Sequence, residues 1–341
     1  MASAMAHNLS AVQAGHTTED APLHWTTPHK VALEIEAATL RDFSTGKGPD
    51  GATLICTPLA FHRATIADFS PRHSLVAALQ EEGLDNIFVI DWQPATSEMR
   101  HKSLDSYFSD LNVLVDSLPQ PVDIIGLCQG GWMALAYAAR FPHKVRKLVL
   151  VGAPVDIASG MSTLSALAAR VPDNVFEHLV ELGGGTICGK RALEILAPAG
   201  IDESYMFQTL QIDPGAPPED LAALRETFDT WFWTTIDIPG RYYLDVVTRI
   251  FKQNRLASDQ LKVLGQISVL SRVTSPMLLL AAEQDEFVAP TQLFTAEKLT
   301  SSPPDAGRKI MVPGNHLSLF LGGRTVKQIW PQIGRWLLQP A

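Results

Sequence analysis

From residue 52 onward the chain alternates short, wholly apolar runs with longer segments whose apolar positions recur every three or four residues. ATLICTPL (52–59), NIFVIDW (86–92), VDIIGL (122–127) and KLVLVGAP (147–154) are predicted strands. Segments around HSLVAALQEEG (73–83), SLDSYFSDLNVLVDSL (103–118) and WMALAYAARF (132–141) are predicted helices between them. A strand that is apolar on both faces needs cover on both. The alternation therefore predicts an α/β fold with a mostly parallel central sheet and helices on each side.

Between 158 and 272 the alternation stops. SALAARVPDNVFEHLVELG (165–183), PEDLAALRETFDTWFWTTI (218–236) and GRYYLDVVTRIFKQN (240–254) have helical periodicity, and only LKVLGQISVL (261–270) has strand character. The α/β pattern resumes with PMLLLAAEQDEFV (276–288), a helix near QLFTAEKL (292–299), RKIMVPGNHL (308–317) and a closing helix TVKQIWPQIGRWLLQ (325–339). The reading is one α/β core, residues 24–157 and 273–341, with a mainly helical cap, 158–272, inserted into it. Residues 1–23 are small and polar with no period and read as a mobile N-terminal arm. STGKGPDG (44–51) reads as a loop ahead of the first buried strand.

Composition narrows the function classes. With 341 residues, 46% hydrophobic and 18% charged, the chain can bury a large core. A net charge of −9 without Lys/Arg runs excludes nucleic acid as the expected partner. No apolar window is long enough for a transmembrane segment, and the N-terminus lacks the basic start and apolar stretch of a secretory signal, so a cytoplasmic location is expected. The three cysteines, Cys56, Cys128 and Cys188, are far apart and offer no metal-ligand spacing. Neither a metal nor a cofactor is expected.

The chemistry centres on VDIIGLCQGGWMALAYAARFP (122–142). It is a strand, a G-x-C-x-G turn (Gly126, Leu127, Cys128, Gln129, Gly130) and a helix, which is the context of a nucleophile elbow. The elbow holds its nucleophile in a strained turn, so the residues two before and two after must be small enough for strand and helix to pass closely. The helix N-terminus favours negative charge at the sulfur and on a later oxyanion. The Gln129 N–H is the first expected oxyanion donor, and the second is expected from the loop after the first core strand, near Leu59 and Ala60. The alternative is a buried apolar cysteine. Placement between an apolar strand and a helix, with a third glycine at Gly131, favours the elbow.

A cysteine nucleophile needs a base and the base an orienting acid, in the chain order nucleophile, acid, histidine. Asp285 follows the strand MLLLAAEQ, and His316, the last histidine in the chain, follows KIMVPGN. Their alternatives are a helix-capping carboxylate and a solvated loop histidine. Asp91 also ends a strand, but it precedes the nucleophile and adjoins Trp92, which suggests packing. His62 and His73 flank the first core loop, as pocket residues or as surface and capping groups. Cys56 lies in an apolar strand and Cys188 in a Gly-rich loop, without elbow context. Trp231, Phe232, Trp233, Tyr242 and Tyr243 are candidates both for an acyl pocket and for packing within the cap.

GLCQGGWMALAYAARFPHKVRKLVLVGAPVD (126–156), PMLLLAAEQDEFVAP (276–290) and PGNHLSLFLGG (313–323), with VIDWQ (89–93) and SLDSY (103–107), resemble the polyhydroxyalkanoate synthases of the α/β-hydrolase superfamily. The likeness is strongest to the short catalytic subunit of the two-component class III enzymes. Cys-type intracellular polyhydroxyalkanoate depolymerases look similar in the same places. The resemblance implies an α/β-hydrolase fold, Cys128 as acyl acceptor, and Asp285 and His316 in their family roles. It also implies an acyl-CoA or polyester substrate, with coenzyme A entering only as part of the thioester. A second synthase subunit or a homodimer, and association with polyester granules, belong to the same implication. A thiol exchanges one thioester for another at almost no cost and leaves an acyl-cysteine still reactive toward an alcohol, whereas serine would form a more stable ester.

Two departures stand out. Synthases usually place histidine or a second aspartate directly after the acid, where this chain has Glu286, and many have GGHIG around the base, where this chain has GNHLS (314–318). These bear on polymerisation more than on covalent cysteine chemistry. The first reading is thus an acyltransferase on 3-hydroxyacyl-CoA. The second is a Cys-dependent hydrolase of the same fold, either a depolymerase or an acyl-CoA thioesterase. The third, of a different class, is a non-catalytic partner of granules or of a synthase, binding through apolar cap surface.

Overall fold

The computed structural model describes residues 24–46, 51–196, 202–212, 217–304 and 307–340. The expected N-terminal arm, 1–23, lies outside the described residues. Eight strands form one sheet: β1 (Lys30–Ile35), β2 (Ala38–Asp42), β3 (Thr53–Cys56), β4 (Ile87–Trp92), β5 (Val122–Leu127), β6 (Val145–Val151), β7 (Met277–Ala282) and β8 (Arg308–Val312). Their spatial order is β1-β2-β4-β3-β5-β6-β7-β8. The β1–β2 and β2–β4 pairs are antiparallel, and every pair from β4 to β8 is parallel.

The fully apolar strands serve two cores through their period of two. Leu54, Ile124, Leu148 and Leu279 point into one buried cluster, and Ile55, Ile125, Val149 and Leu278 into the other. Helices α1 (Leu75–Glu81), α2 (Leu104–Asp116) and α3 (Gln129–Arg140), with the closing helix Trp330–Leu338, cover the two faces. Helix α3 is buried from Gly130 to Ala139, which explains its nearly unbroken apolar sequence. Burial of α2 is one-sided, and its start is fixed by a capping box between Ser103 and Ser106.

The first hairpin, β1–β2, has no counterpart among the sequence-predicted strands. Its outer strand is mostly exposed, so it lacks the apolar run that marks the others. Helix α3 begins at Gln129 rather than at 132, because Cys128 itself is the N-cap.

Between β6 and β7 the chain forms α4 (Thr163–Arg170), α5 (Asp173–Leu182), α6 (Gly189–Leu196), α7 (Glu203–Leu210), α8 (Pro218–Trp233) and α9 (Gly240–Asp245), the last continuing as a π-helix over Val246–Lys252. Pro172 splits the first predicted helix of this region into α4 and α5. The stretch with strand character, 261–270, forms only a two-rung hairpin, Lys262–Val263 with Gln266–Ile267.

Candidate active site

The strand–turn–helix at Cys128 has the strained geometry its sequence requires. Cys128 sits at φ 48° and ψ −113°, a backbone conformation that non-glycine residues rarely adopt. Two hydrogen bonds hold it there. Its N–H donates to the Val151 carbonyl at 2.8 Å, and its carbonyl accepts from the Gly131 N–H at 2.9 Å. The flanking glycines are steric necessities. A Cβ on Gly126 would lie 2.4 Å from the Gly131 Cα, and one on Gly130 would lie 2.0 Å from the Cys56 carbonyl oxygen. The turn presents Cys128 at the N-terminus of α3.

Asp285 follows β7 and His316 follows β8. The His316 Nδ1–H donates to Asp285 Oδ2 at 2.7 Å, with the two side chains 6% and 1% exposed. The other Asp285 oxygen accepts from the backbone N–H groups of Phe287 (3.0 Å) and Val288 (2.8 Å), which locks the carboxylate. With Nδ1 committed to Asp285, Nε2 is the nitrogen left to face Cys128, which lines the same cavity and interacts electrostatically with the imidazole. Phe287 and Phe320 pack against its ring at steep angles, with centroids 5.5 and 5.4 Å away. Burial disfavours a charge on His316, but the Asp285 carboxylate and the Cys128 sulfur outweigh it and raise its pKa well above the usual histidine value. The structure thus brings Cys128 and His316 to one cavity, with Asp285 bonded behind His316.

A cavity of about 550 Å³ opens onto Cys128, Gln129 and His316. Its walls are apolar side chains from α4, α5 and the 240–252 segment, such as Leu164, Leu167, Val171, Phe176 and Val247, together with Phe287 and Phe320 from the core. Of the two residues proposed for the second oxyanion donor, Ala60 lines the cavity, whereas Leu59 is wholly buried within the core. The Gln129 side chain is fixed by the Tyr242 hydroxyl, which donates to its Oε1 at 3.2 Å.

The other candidates separate clearly. Phe232, Tyr242 and Tyr243 line the cavity. Trp231 is buried with its ring stacked on His62 at 4.4 Å, and Trp233 is 39% exposed. His62 also borders the cavity and is bonded to the Phe232 carbonyl at 3.1 Å; burial lowers its pKa to about 4. His73 is buried with Nδ1 bonded to the Leu321 carbonyl at 2.6 Å. Asp91 Oδ2 accepts two hydrogen bonds from Arg41, at 2.8 and 2.7 Å, a structural ion pair. Cys56 is fully buried, and burial pushes its thiol up to about 12. Cys188 is half-buried at the start of α6.

Two polar residues at the site were not nominated from the sequence, Tyr205 and Glu286. Glu286 Oε1 accepts from the Tyr205 hydroxyl at 2.9 Å, Oε2 accepts from the His316 N–H at 3.1 Å, and both residues line the cavity. Glu286 was visible as a departure from the synthase pattern. Tyr205 lies in α7, whose short stretch carries no periodicity that marks it.

A model of the α/β-hydrolase fold family matches residues 73–323. The chain is 27% identical over 282 residues to poly(3-hydroxyalkanoate) polymerase subunit PhaC of Allochromatium vinosum, covering 81% of this chain and 78% of that protein. It is also 27% identical over 337 residues to the subunit of the same name from Synechocystis sp., covering 95% and 87%. Among solved structures, a soluble variant of monoglyceride lipase from Saccharomyces cerevisiae aligns with a TM-score of 0.58 over 93% of this chain and 99% of that one, at 14% identity, a likeness of fold alone. The chain belongs to the α/β-hydrolase fold family, and the resemblance to polyhydroxyalkanoate synthases carried by its motifs extends along most of its length.

Proposed function

We propose that this protein is a cysteine-nucleophile acyltransferase that acts on 3-hydroxyacyl-CoA thioesters in polyester metabolism through an acyl-cysteine. The observation that carries this reading is His316, bonded to Asp285, lining one apolar cavity with Cys128, in a chain similar to polymerase subunits. His316 Nε2 takes the Cys128 proton, and the sulfur attacks the thioester carbonyl. The Gln129 N–H and an N–H of the 59–60 loop stabilise the oxyanion. Its collapse expels the CoA thiolate, which takes the proton from His316 and leaves an acyl-cysteine. The hydroxyl of a second 3-hydroxyacyl group then gives its proton to His316 and attacks the acyl-cysteine. An ester forms, and the returning proton frees the Cys128 thiol.

Asp285 holds the His316 tautomer that leaves Nε2 free to accept, and stabilises the imidazolium between these transfers. Residues 158–272 act as a cap that closes over the acyl chain and opens for CoA and product. A second synthase subunit or a second copy of the chain completes the working assembly, at the surface of a polyester granule.

The test is to mix the protein with 3-hydroxybutyryl-CoA, follow CoA release and identify the acyl products, with Cys128→Ala as control. Cys128-dependent release with formation of oligomer or polymer supports the acyltransferase. Release that yields only free 3-hydroxybutyrate makes the protein a hydrolase, and no release under any condition removes the acyl-CoA reading.

A further inference from the structure

We infer that Glu286, together with the hydroxyls of Tyr205 and Thr209, forms a clamp through which helix α7 positions His316. The inference rests on the proposed role of His316 as base, and it starts from the position where this chain departs from the synthase pattern. Glu286 directly follows Asp285 in the chain and reaches across to His316 itself. One of its oxygens accepts from the His316 backbone N–H at 3.1 Å, and the other accepts from the Tyr205 hydroxyl at 2.9 Å.

The same helix grips the other side of the loop. Thr209, one turn beyond Tyr205 on the same helix, accepts from Asn315 Nδ2 at 2.8 Å. Asn315 precedes His316 and fixes the following turn, with its Oδ1 accepting from the Ser318 N–H at 3.0 Å. Gln211, just past the end of α7, donates to the Pro313 carbonyl at 3.2 Å. Directional bonds from one helix therefore reach the His316 loop at Pro313, Asn315 and, through Glu286, at His316.

Apolar packing alone would let α7 slide against the loop, whereas these bonds set its register. Burial and the adjacent Glu286 raise the Tyr205 pKa, so its hydroxyl remains a donor. Thr209 is wholly buried and is not among the residues lining the cavity, so it acts through the loop and not on substrate. When α7 lifts, both ends of the clamp release and the imidazole loses its alignment with Cys128. Glu286, Tyr205 and Thr209 are positioning residues, and base competence is coupled to the seating of α7.

The test compares wild type with Thr209→Val, Thr209→Ser, Tyr205→Phe and Glu286→Gln, whose amide cannot accept at both ends. Kinetics of CoA release from 3-hydroxybutyryl-CoA are read beside the rate at which iodoacetamide modifies Cys128, followed by peptide mass mapping. We expect kcat to fall about tenfold to a hundredfold in Thr209→Val, Tyr205→Phe and Glu286→Gln, with KM changed no more than about twofold. Thr209→Ser, which keeps the hydroxyl, is expected to retain kcat. Cys128 alkylation should slow in step with kcat while alkylation of Cys188, in the same β6–β7 segment as α7, stays unchanged.

Wild-type kcat and alkylation in both Thr209→Val and Tyr205→Phe would overturn the clamp. So would a loss in Thr209→Ser equal to that in Thr209→Val, which would assign the effect to packing. A rise in KM at constant kcat would also overturn it by assigning the residues to substrate binding. If the wild type releases no CoA, the acyltransferase reading fails by itself, and the clamp is decided by the alkylation rates alone.

Discussion

Cys56 ends β3 and Cys128 directly follows the neighbouring strand β5, yet the two differ in everything that makes a thiol useful. Cys56 is sealed in the core with its pKa raised to about 12, whereas Cys128 stands at a helix N-terminus against His316. At pH 8, iodoacetamide should therefore label Cys128 and leave Cys56 unmodified in the folded protein, and a labelled Cys56 would contradict the buried assignment. Cys128→Ala should abolish acyl-enzyme and turnover together. His316→Ala should slow both, with turnover falling by about 10²–10⁴-fold. Asp285→Asn should keep part of the acylation burst while losing turnover, because a thiol needs less help than the incoming hydroxyl does; full activity in Asp285→Asn would mean another acid orients His316. His62 gives a separate prediction on stability. Its folded pKa, about 4, lies below the ordinary 6.5, so the unfolded chain binds more protons between those values. The stability it contributes is present above pH 6.5 and is lost as pH falls toward 4. His62→Phe should flatten that part of the melting-temperature profile, and an unchanged slope would assign the effect elsewhere, such as to His73, whose pKa burial also lowers.

The elbow was legible because everything that defines it is local: an apolar strand, glycines at fixed offsets and a helix in one run of about twenty residues. Its partners were legible for a related reason, since Asp285 and His316 each follow an apolar strand in the order this fold demands. Hairpin β1–β2 and helices α6 and α7 were not, because their burial comes from neighbours distant in sequence. The α7 bonds to Glu286 and Asn315 span 81 and 106 residues. The same locality makes the elbow brittle. An alanine at 130 would drive its Cβ into backbone atoms at and just past the end of β3, the Cys56 carbonyl oxygen at 2.0 Å and the Thr57 carbonyl oxygen at 2.8 Å, so strand and helix must separate. Gly130→Ala should cost about 3 kcal/mol or prevent folding. Gly83, just after α1, has a positive φ of 93° but faces open space, and Gly83→Ala should cost only about 1 kcal/mol. Guanidinium unfolding of the two variants checks the contrast, and equal losses would show that strand and helix yield to the added Cβ at 130 at little cost.

Sheet and inserted helices meet at the cavity, and its size bears on what the protein acts upon. The sequence showed that aromatic residues in the 231–243 region were candidates for an acyl pocket, yet only Phe232, Tyr242 and Tyr243 face it, while aliphatic residues of α4 and α5 supply much of the wall. Periodicity shows that a helix has an apolar face but not whether that face meets another element or a void. At about 30 Å³ per water-sized group, 550 Å³ holds roughly eighteen such groups, several times what a hydroxybutyryl group fills. A short acyl chain would leave much of the apolar wall without contacts, and a longer one would bury more of itself on the same wall. Each added methylene should then contribute up to about 0.8 kcal/mol, or about fourfold in kcat/KM. Along the series 3-hydroxybutyryl-, hexanoyl-, octanoyl- and decanoyl-CoA, the acylation step should become more efficient until the chain reaches the far wall. Leu167→Trp, which would take up part of the cavity, should bring the plateau to a shorter chain. A flat or falling series would mean that the growing polyester, and not the incoming acyl group, occupies the cavity.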